Sequence, residues 1–248
     1  MFDNHHNYTD YEKEMMNSSS YNPTIVQTAF SALMRKVYLW MTFALVVTGL
    51  TALVASGNQQ FMYAIMSSRG LFLGLIIAEV AMVITLSAAI NRLSFMTAGM
   101  LFIAYSILNG LTMSFIFLAY TDTSIATTFF VTAGTFAAMS FYGYFTENNL
   151  TSWGRFLLMA LIGLIIAAVV NMFMGNSTLD LIISCIGVLI FVGLTAYDTQ
   201  KIKRMFLANS YAVDDQTQKL ALLGSLTLYL DFVNLFLYLL RFLGRGRE

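Results

Sequence analysis

Residues 219–240 read Lys-Leu-Ala-Leu-Leu-Gly-Ser-Leu-Thr-Leu-Tyr-Leu-Asp-Phe-Val-Asn-Leu-Phe-Leu-Tyr-Leu-Leu, and Asp231 lies near the middle of this apolar run. The run has the length of ~20 residues that a helix needs to cross a bilayer. An aspartate near the centre of such a helix costs about 2.5–3.5 kcal/mol on insertion, so a helix that keeps one usually uses it. Another aspartate, Asp198, ends the preceding apolar run, and Glu79 interrupts the second run.

The composition predicts an integral membrane protein. The 248-residue chain is 58% hydrophobic and only 10% charged, whereas about 25% of residues are charged in soluble domains. The net charge of zero argues against a nucleic-acid partner and leaves the lipid bilayer as the expected one. The one cysteine, Cys185, excludes an internal disulfide, and both histidines, His5 and His6, lie in the N-terminal tail.

Seven apolar runs follow a polar start, and each is long enough to cross as a helix. They occupy residues 37–56, 70–90, 94–120, 124–145, 153–174, 178–200 and 219–240. We therefore predict an all-α membrane protein, a seven-transmembrane-helix bundle. Its three parts are a polar, cytoplasmic N-terminal tail (1–35), a membrane domain (36–244) and a short basic C-terminal tail (245–248).

Basic residues in the connections indicate the orientation. With the N-terminus in the cytoplasm, that side carries nine of the 13 lysines and arginines and the far side carries four, namely Arg69, Arg241, Arg245 and Arg247. Seven crossings would place the basic C-terminus outside. A re-entrant last helix, with both termini inside, stays open as an alternative. The absence of eukaryotic targeting features favours the bacterial cytoplasmic (inner) membrane.

The last run carries a polar stripe, because Gly224, Thr227, Asp231, Asn234 and Tyr238 recur at spacings of three and four. A helix facing lipid would not carry such a stripe, so it is expected to face other helices or a watery cavity. The sixth run has a comparable face, formed by Asp180, Ser184, Gly187, Phe191, Thr195 and Asp198.

The two aspartates are expected to meet. The midpoint between residues 198 and 231 falls at Asp214-Asp215, within the polar stretch 209–218 that joins the two runs. In an antiparallel hairpin with that turn, Asp198 and Asp231 lie level, provided that the sixth helix continues past Asp198. Two carboxyls in contact at low dielectric would share a single proton, and an ionised pair would repel or attract a cation such as Ca²⁺. A neutral, purely structural hydrogen-bonding role is the alternative for each aspartate.

These residues resemble a known family. Tyr197-Asp198-Thr199-Gln200-Lys201-Ile202-Lys203 resembles the segment that closes the sixth helix of the transmembrane Bax inhibitor motif family. The stretch from Leu228 to Gly244, with Asp231, is similar to its C-terminal signature, and Glu79-Val80-Ala81-Met82 is similar to its second-helix motif.

The resemblance implies a bundle whose last helix is central, and a pH-sensitive calcium leak across the membrane. It implies that Asp198 and Asp231 are the proton sensor and gate, and that Glu79 lies on the ion pathway; Thr227 and Asn234 are our additions to that pathway. Some bacterial relatives carry an arginine late in helix two that locks onto the aspartates. Ile90 stands at that position here, and Arg92, two residues later, is the candidate latch.

We expect no enzymatic activity and no cofactor, with calcium as the transported or bound ion, held by Asp198 and Asp231. Three other functions stay open: a non-conducting regulatory protein that acts through partners, a proton-coupled calcium exchanger, and an intramembrane aspartyl protease. The protease is disfavoured because residues 228–231 are Leu-Tyr-Leu-Asp rather than Gly-x-Gly-Asp, and because Pro23 is the only proline.

Overall fold

The structure is a computed structural model that describes residues 23–90, 92–208 and 215–246. Those residues form helices joined by short connections. The helices are α1 (Pro23–Ser56), α2 (Gln59–Ser67), α3 (Arg69–Ala89), α4 (Phe95–Met113), α5 (Ile116–Ala119), α6 (Asp122–Phe145), α7 (Thr151–Met174), α8 (Ser177–Ala208) and α9 (Asp215–Leu243). The predicted all-α class is confirmed.

Six helices of the described ranges are long and apolar enough to cross a membrane: Val26–Ser56, Phe95–Ala119, Asp122–Phe145, Thr151–Met174, Ser177–Ala208 and Gln216–Leu243. Helix α3 contributes a shorter apolar stretch, Leu73–Ala89. Large apolar side chains such as Val54, Phe130 and Phe173 point outward, with 74–81% of their surface exposed. In water such a surface would be very unfavourable, so these faces contact lipid.

Helix α9 is the most enclosed of the six. In its most apolar window 72% of the residues are buried, against 11–44% in the other five helices. It packs against α1, α4, α6 and α8. By contrast, α7 packs mainly on α8, and α3 packs mainly on α4. Of the polar stripe of α9, Gly224 and Asp231 are buried, and Thr227, Asn234 and Tyr238 are half-buried.

Several boundaries differ from the predicted runs. Helix α1 begins at Pro23, because proline is tolerated in a first helical turn and Phe30 stacks on Tyr144 of α6. Thus α1 includes residues that we assigned to the polar tail. Helix α8 continues to Ala208, past Asp198, as the level placement of the aspartates requires. The tail histidines and the turn residues 209–214 lie outside the described residues.

Two features of the far side, where α1 ends, were not predicted. The connection after α1 contains the short helix α2, which begins where the Asn58 side chain accepts a hydrogen bond from the Phe61 amide. The third run is not one helix, because α4 ends at Met113 and α5 follows. At this break the Leu111 carbonyl accepts from both the hydroxyl and the backbone amide of Ser114.

The segment 245–246 is attached to the connection between α5 and α6. Tyr120 and Gly246 form an isolated antiparallel bridge, and the Thr121 amide donates to the Arg245 carbonyl at 3.3 Å. The Arg245 amide donates to the Ser124 hydroxyl at 3.0 Å. Helix α9 is unbroken over 29 residues. The side of the membrane on which it ends stays a prediction.

Candidate functional site

The antiparallel pairing of α8 and α9 determines which of their polar residues lie side by side. Near its open end, Arg241 Nη1 lies 3.2 Å from Asp180 Oδ1, and the Tyr238 ring stacks on Phe191 with a centroid distance of 5.8 Å. Near the turn, Gly224 lies against Ile202. Residues at the start of α8 thus meet residues at the end of α9, as in an antiparallel pair. A Cβ on Gly187 would lie 2.6 Å from the Tyr238 ring, so a side chain there would push the helices apart.

Asp198 and Asp231 face each other in the middle of this hairpin. The two residues are 7% and 4% exposed, and each carboxyl lies within electrostatic reach of the other. This facing pair is the bridge between α8 and α9, and one shared proton would relieve the repulsion between its two carboxyls.

The bridge has one unused acceptor. Oδ2 of Asp231 is buried and has no hydrogen-bond partner among the described residues. A buried carboxyl oxygen without a partner is unfavourable, because desolvation of such a polar atom costs about 1–3 kcal/mol. The site can therefore accept a further donor or a cation when one reaches it.

Positive charge approaches the pair from the C-terminal end of α8. Lys201 Nζ lies 3.8 Å from Asp198 Oδ1, and Arg204 also acts on Asp198. Both cations lie over the Tyr197 ring, at 6.0 Å for Lys201 and 5.5 Å for Arg204. Arg92 is exposed in the turn after α3 and is not among the groups that act on either aspartate. Its role as a latch stays a prediction.

A hydrogen-bond network next to Asp198 holds α8 to α6 and α1. The Thr199 hydroxyl lies 3.0 Å from the Ser140 hydroxyl, which lies 2.6 Å from the Tyr38 hydroxyl. The buried side chain of Gln200 donates to the Asn148 carbonyl and accepts from the Leu150 amide. Sequence reasoning did not assign these roles, although Thr199 and Gln200 are polar residues that directly follow Asp198.

Thr227 and Asn234 flank Asp231 on α9 and are half-buried. The Thr227 hydroxyl donates to the Leu223 carbonyl at 3.0 Å, and the Asn234 amide donates to the Leu230 carbonyl at 2.8 Å. Both side chains therefore bond the turn before them on their own helix. The structure places them beside the aspartate pair, and their part in an ion pathway stays a prediction.

Glu79 lies in a different polar group. It is half-buried on α3 and accepts a hydrogen bond from the Thr112 hydroxyl of α4. Its charge interacts electrostatically with Tyr105 and Tyr229. The Tyr229 hydroxyl lies 2.7 Å from the Thr48 hydroxyl of α1. Positions 229 and 231 of a helix are about 200° apart, so α9 directs Tyr229 away from the aspartate pair.

The structure therefore does not bring Glu79 to the two aspartates, and Glu79 does not act on either. Asn109 belongs to the same group, because its amide donates to the Tyr105 hydroxyl at 3.1 Å. Its Oδ1 atom is buried and lacks a partner among the residues that the structure describes. Sequence reasoning missed Asn109 and Tyr105, which lie four residues apart in an apolar run.

The two aspartates supply only part of a calcium coordination shell. Within the described part of the chain, no group of three or more histidine, cysteine, aspartate or glutamate side chains could hold a metal ion. Calcium in proteins takes six to eight oxygen ligands, and the pair supplies two carboxyls with Lys201 nearby. Calcium binding by Asp198 and Asp231 stays a prediction.

Comparison with known proteins gives the family. A family profile described as inhibitor of apoptosis-promoting Bax1 matches residues 30–248. The inner membrane protein YbhL of Escherichia coli K12 is 49% identical over 214 residues, which is 86% of this chain and 92% of YbhL. An uncharacterized protein of Rickettsia prowazekii is 42% identical over 239 residues, covering 96% of this chain and 99% of that protein.

These relatives and the apolar helices confirm the predicted localisation, an integral protein of the bacterial inner membrane. The match also confirms the family that the Tyr-Asp segment and the C-terminal stretch indicated. The chain therefore belongs to the family of Bax inhibitor-like membrane proteins.

Proposed function

We propose that this protein is a pH-sensitive calcium leak channel, gated by the shared proton of Asp198 and Asp231. The observation that carries the proposal is the facing position of two buried carboxyls on neighbouring helices. Ionisable residues inside membrane segments usually mark ion or proton pathways. Membership of the Bax inhibitor-like family supports the same proposal through the resemblance described above.

The bridge depends on its proton count. Without the shared proton, two like charges face each other at low dielectric and repel, or attract a hard cation. With a second proton, Asp198 becomes neutral and loses its attraction to Lys201, 3.8 Å away. Either change alters the contact between α8 and α9, so the passage is proposed to respond to pH.

The membrane arrangement belongs to the proposal. We propose seven crossings, with α9 central and α3 as the seventh. Support comes from both ends of α3. Its start follows α2, where Met62 contacts Ser114 at the end of α4. Its end lines a cavity with Met205 and Lys219, at the turn side of the hairpin. With 21 residues, α3 is about 31 Å long, close to the thickness of a bilayer core.

Calcium and protons are the proposed partners, and no enzymatic reaction and no cofactor are proposed. Carboxylate and carbonyl oxygens are the ligands that calcium prefers. Glu79 on α3 and Thr227 and Asn234 on α9 are proposed as pathway residues. The half-buried state of all three leaves them accessible to an ion that moves between helices.

Calcium flux in proteoliposomes tests this function. Purified protein is reconstituted with a calcium indicator inside, and flux is measured across a range of pH without a proton gradient. We expect a pH-dependent leak in the wild type and a leak that no longer depends on pH in Asp231→Asn. The control Asp122→Asn removes an exposed carboxyl at the start of α6 and should behave as the wild type.

The same vesicles separate the alternatives. Flux that requires an opposing proton gradient would show an exchanger. Silent vesicles that contain folded protein would favour a regulatory protein that acts through partners. Cleavage of a helical reporter peptide, lost in both Asp198→Asn and Asp231→Asn, would show a protease.

A further inference from the structure

An apolar pocket lies beside α9 in the half of the protein that is away from the hairpin turn. Its volume is about 120 Å³, and it lies among α1, α4, α5, α6 and α9. Phe232 and Phe236 of α9 form its inner wall, and Ile116 of α5 contributes to its wall on the far side. The pocket is not part of the aspartate site, because it adjoins a different face of α9.

Two local features of the sequence create this space. The helix break at Ser114 separates α5 from α4, so that Ile116 does not continue the α4 helix. On α1, Gly49 has no side chain, and a Cβ placed there would meet nothing within 4 Å. Almost any other residue at position 49 would place atoms at this edge of the pocket.

The pocket opens toward lipid. Gly49 is exposed, and Phe129 across the opening is 42% exposed. The residues that follow them, Leu50 and Phe130, are 59% and 74% exposed and belong to the outward faces of α1 and α6. The opening therefore lies in a surface that the membrane covers.

The depth of the opening lies within the hydrocarbon core. Gly49 is seven residues from the end of α1, and Phe129 is seven residues from the start of α6. At 1.5 Å per residue, both lie about 10 Å from the far ends of their helices. The hydrocarbon core is about 30 Å thick, so the opening faces acyl chains rather than headgroups.

The side chains that line the pocket offer a ligand no free hydrogen-bonding group. The Thr48 hydroxyl is the polar group that borders it, and this hydroxyl is engaged with Tyr229 at 2.7 Å and with the Ser106 carbonyl at 3.0 Å. Cavities of about 150 Å³ lined by apolar side chains stay dry and take up apolar molecules. An unfilled apolar space also loses dispersion contacts along its whole lining.

We propose that an acyl chain of the leaflet opposite the N-terminus enters this pocket through the opening at Gly49 and packs against Phe232 and Phe236. The ligand class follows from the surroundings, because hydrocarbon is the solvent at this depth. The inference does not depend on ion conduction.

Photo-crosslinking with a phospholipid tests the proposal. The full chain is reconstituted in phosphatidylethanolamine and phosphatidylglycerol vesicles that contain a phospholipid with a diazirine on its acyl chain. After illumination, adducts are mapped by mass spectrometry. We expect adducts on Phe232 or Phe236, which are only 5% and 8% exposed. The expected change in Gly49→Phe is loss of these α9 adducts with retention of adducts on Leu50.

A matched control is available on α6. Gly134 is also exposed, and a Cβ there also meets nothing within 4 Å, but Gly134 does not line the pocket. Gly134→Phe should keep the α9 adducts. The proposal is overturned if the wild type shows no adduct on α9, or if Gly49→Phe keeps them. It is also overturned if a small photoreactive alkane labels α9 while the phospholipid does not.

Discussion

Asp231 on α9 faces Asp198 on α8, and Oδ2 of Asp231 is buried without a partner in the part of the chain that the structure describes. Asp231→Ala would remove the carboxyl that faces Asp198, whereas Asp231→Asn would keep a donor there. We expect Asp231→Ala to be about 1–3 kcal/mol less stable than Asp231→Asn, because only asparagine can still donate to the buried Asp198 carboxyl. Heating the detergent-purified variants and quantifying the remaining folded protein measures the difference; equal stability of the two variants would contradict contact between the side chains at positions 198 and 231.

The charge on Lys201 sets the pH at which the proposed gate responds. The groups that face Asp198 are Asp231, Lys201 and Arg204. A nearby cation favours the ionised carboxyl, so Lys201→Gln should move the midpoint of the pH-dependent flux to higher pH. Lys201 is 47% exposed, and such pairs contribute about 0–1 kcal/mol, which corresponds to a shift of a few tenths of a pH unit.

Arg92→Gln is the comparison for that experiment. Arg92 is exposed and does not act on the pair, so its removal should leave the midpoint unchanged. A shift as large as that of Lys201→Gln would mean that Arg92 reaches the aspartates in another conformation. The latch role would then gain direct support.

Substitution of Glu79 should affect calcium flux differently from substitution of the two aspartates. Glu79→Gln removes a charge but keeps an acceptor for the Thr112 hydroxyl. Because Glu79 does not act on either aspartate, we expect lower calcium flux at every pH and an unchanged pH midpoint. Glu147→Gln, an exposed carboxyl in the loop after α6, is the control. A moved midpoint in Glu79→Gln would show that Glu79 titrates together with the pair.

The crossing of α6 and α8 depends on one glycine. A Cβ on Gly143 would lie 2.3 Å from the Ala196 carbonyl oxygen, and neither backbone can yield locally. Gly143→Ala should therefore cost about 1–3 kcal/mol through overpacking. Gly134→Ala, on the same helix, meets nothing within 4 Å and should be neutral or slightly stabilising. Thermal unfolding of both variants gives the comparison, and similar stability would contradict the close approach of α6 and α8.

Helix type, the inward stripe of α9 and the level of the two aspartates could be predicted from sequence. These features follow from periodicity and from the symmetry of a hairpin about residues 209–218, which depend little on neighbours. The short helix α2, the break at Ser114 and the approach of Gly143 to Ala196 could not be predicted. They depend on which helices pack together, and a single glycine or serine in an apolar run is compatible with many packings.

The separation of Glu79 from the aspartates shows the same limit. All three acidic residues stand in apolar runs, and sequence spacing assigns each a depth but no direction around the bundle. The direction is fixed by contacts such as that of Thr112 with Glu79 and that of Tyr229 with Thr48.

The hydrogen bonds of Arg245 to Thr121 and Ser124, together with the bridge from Gly246 to Tyr120, have a practical consequence. An affinity tag or fluorescent fusion joined directly after Glu248 would begin two residues beyond a segment that is bonded to the α5–α6 connection. Such a fusion would compete with those bonds, and a spacer or a fusion at the opposite terminus avoids this competition.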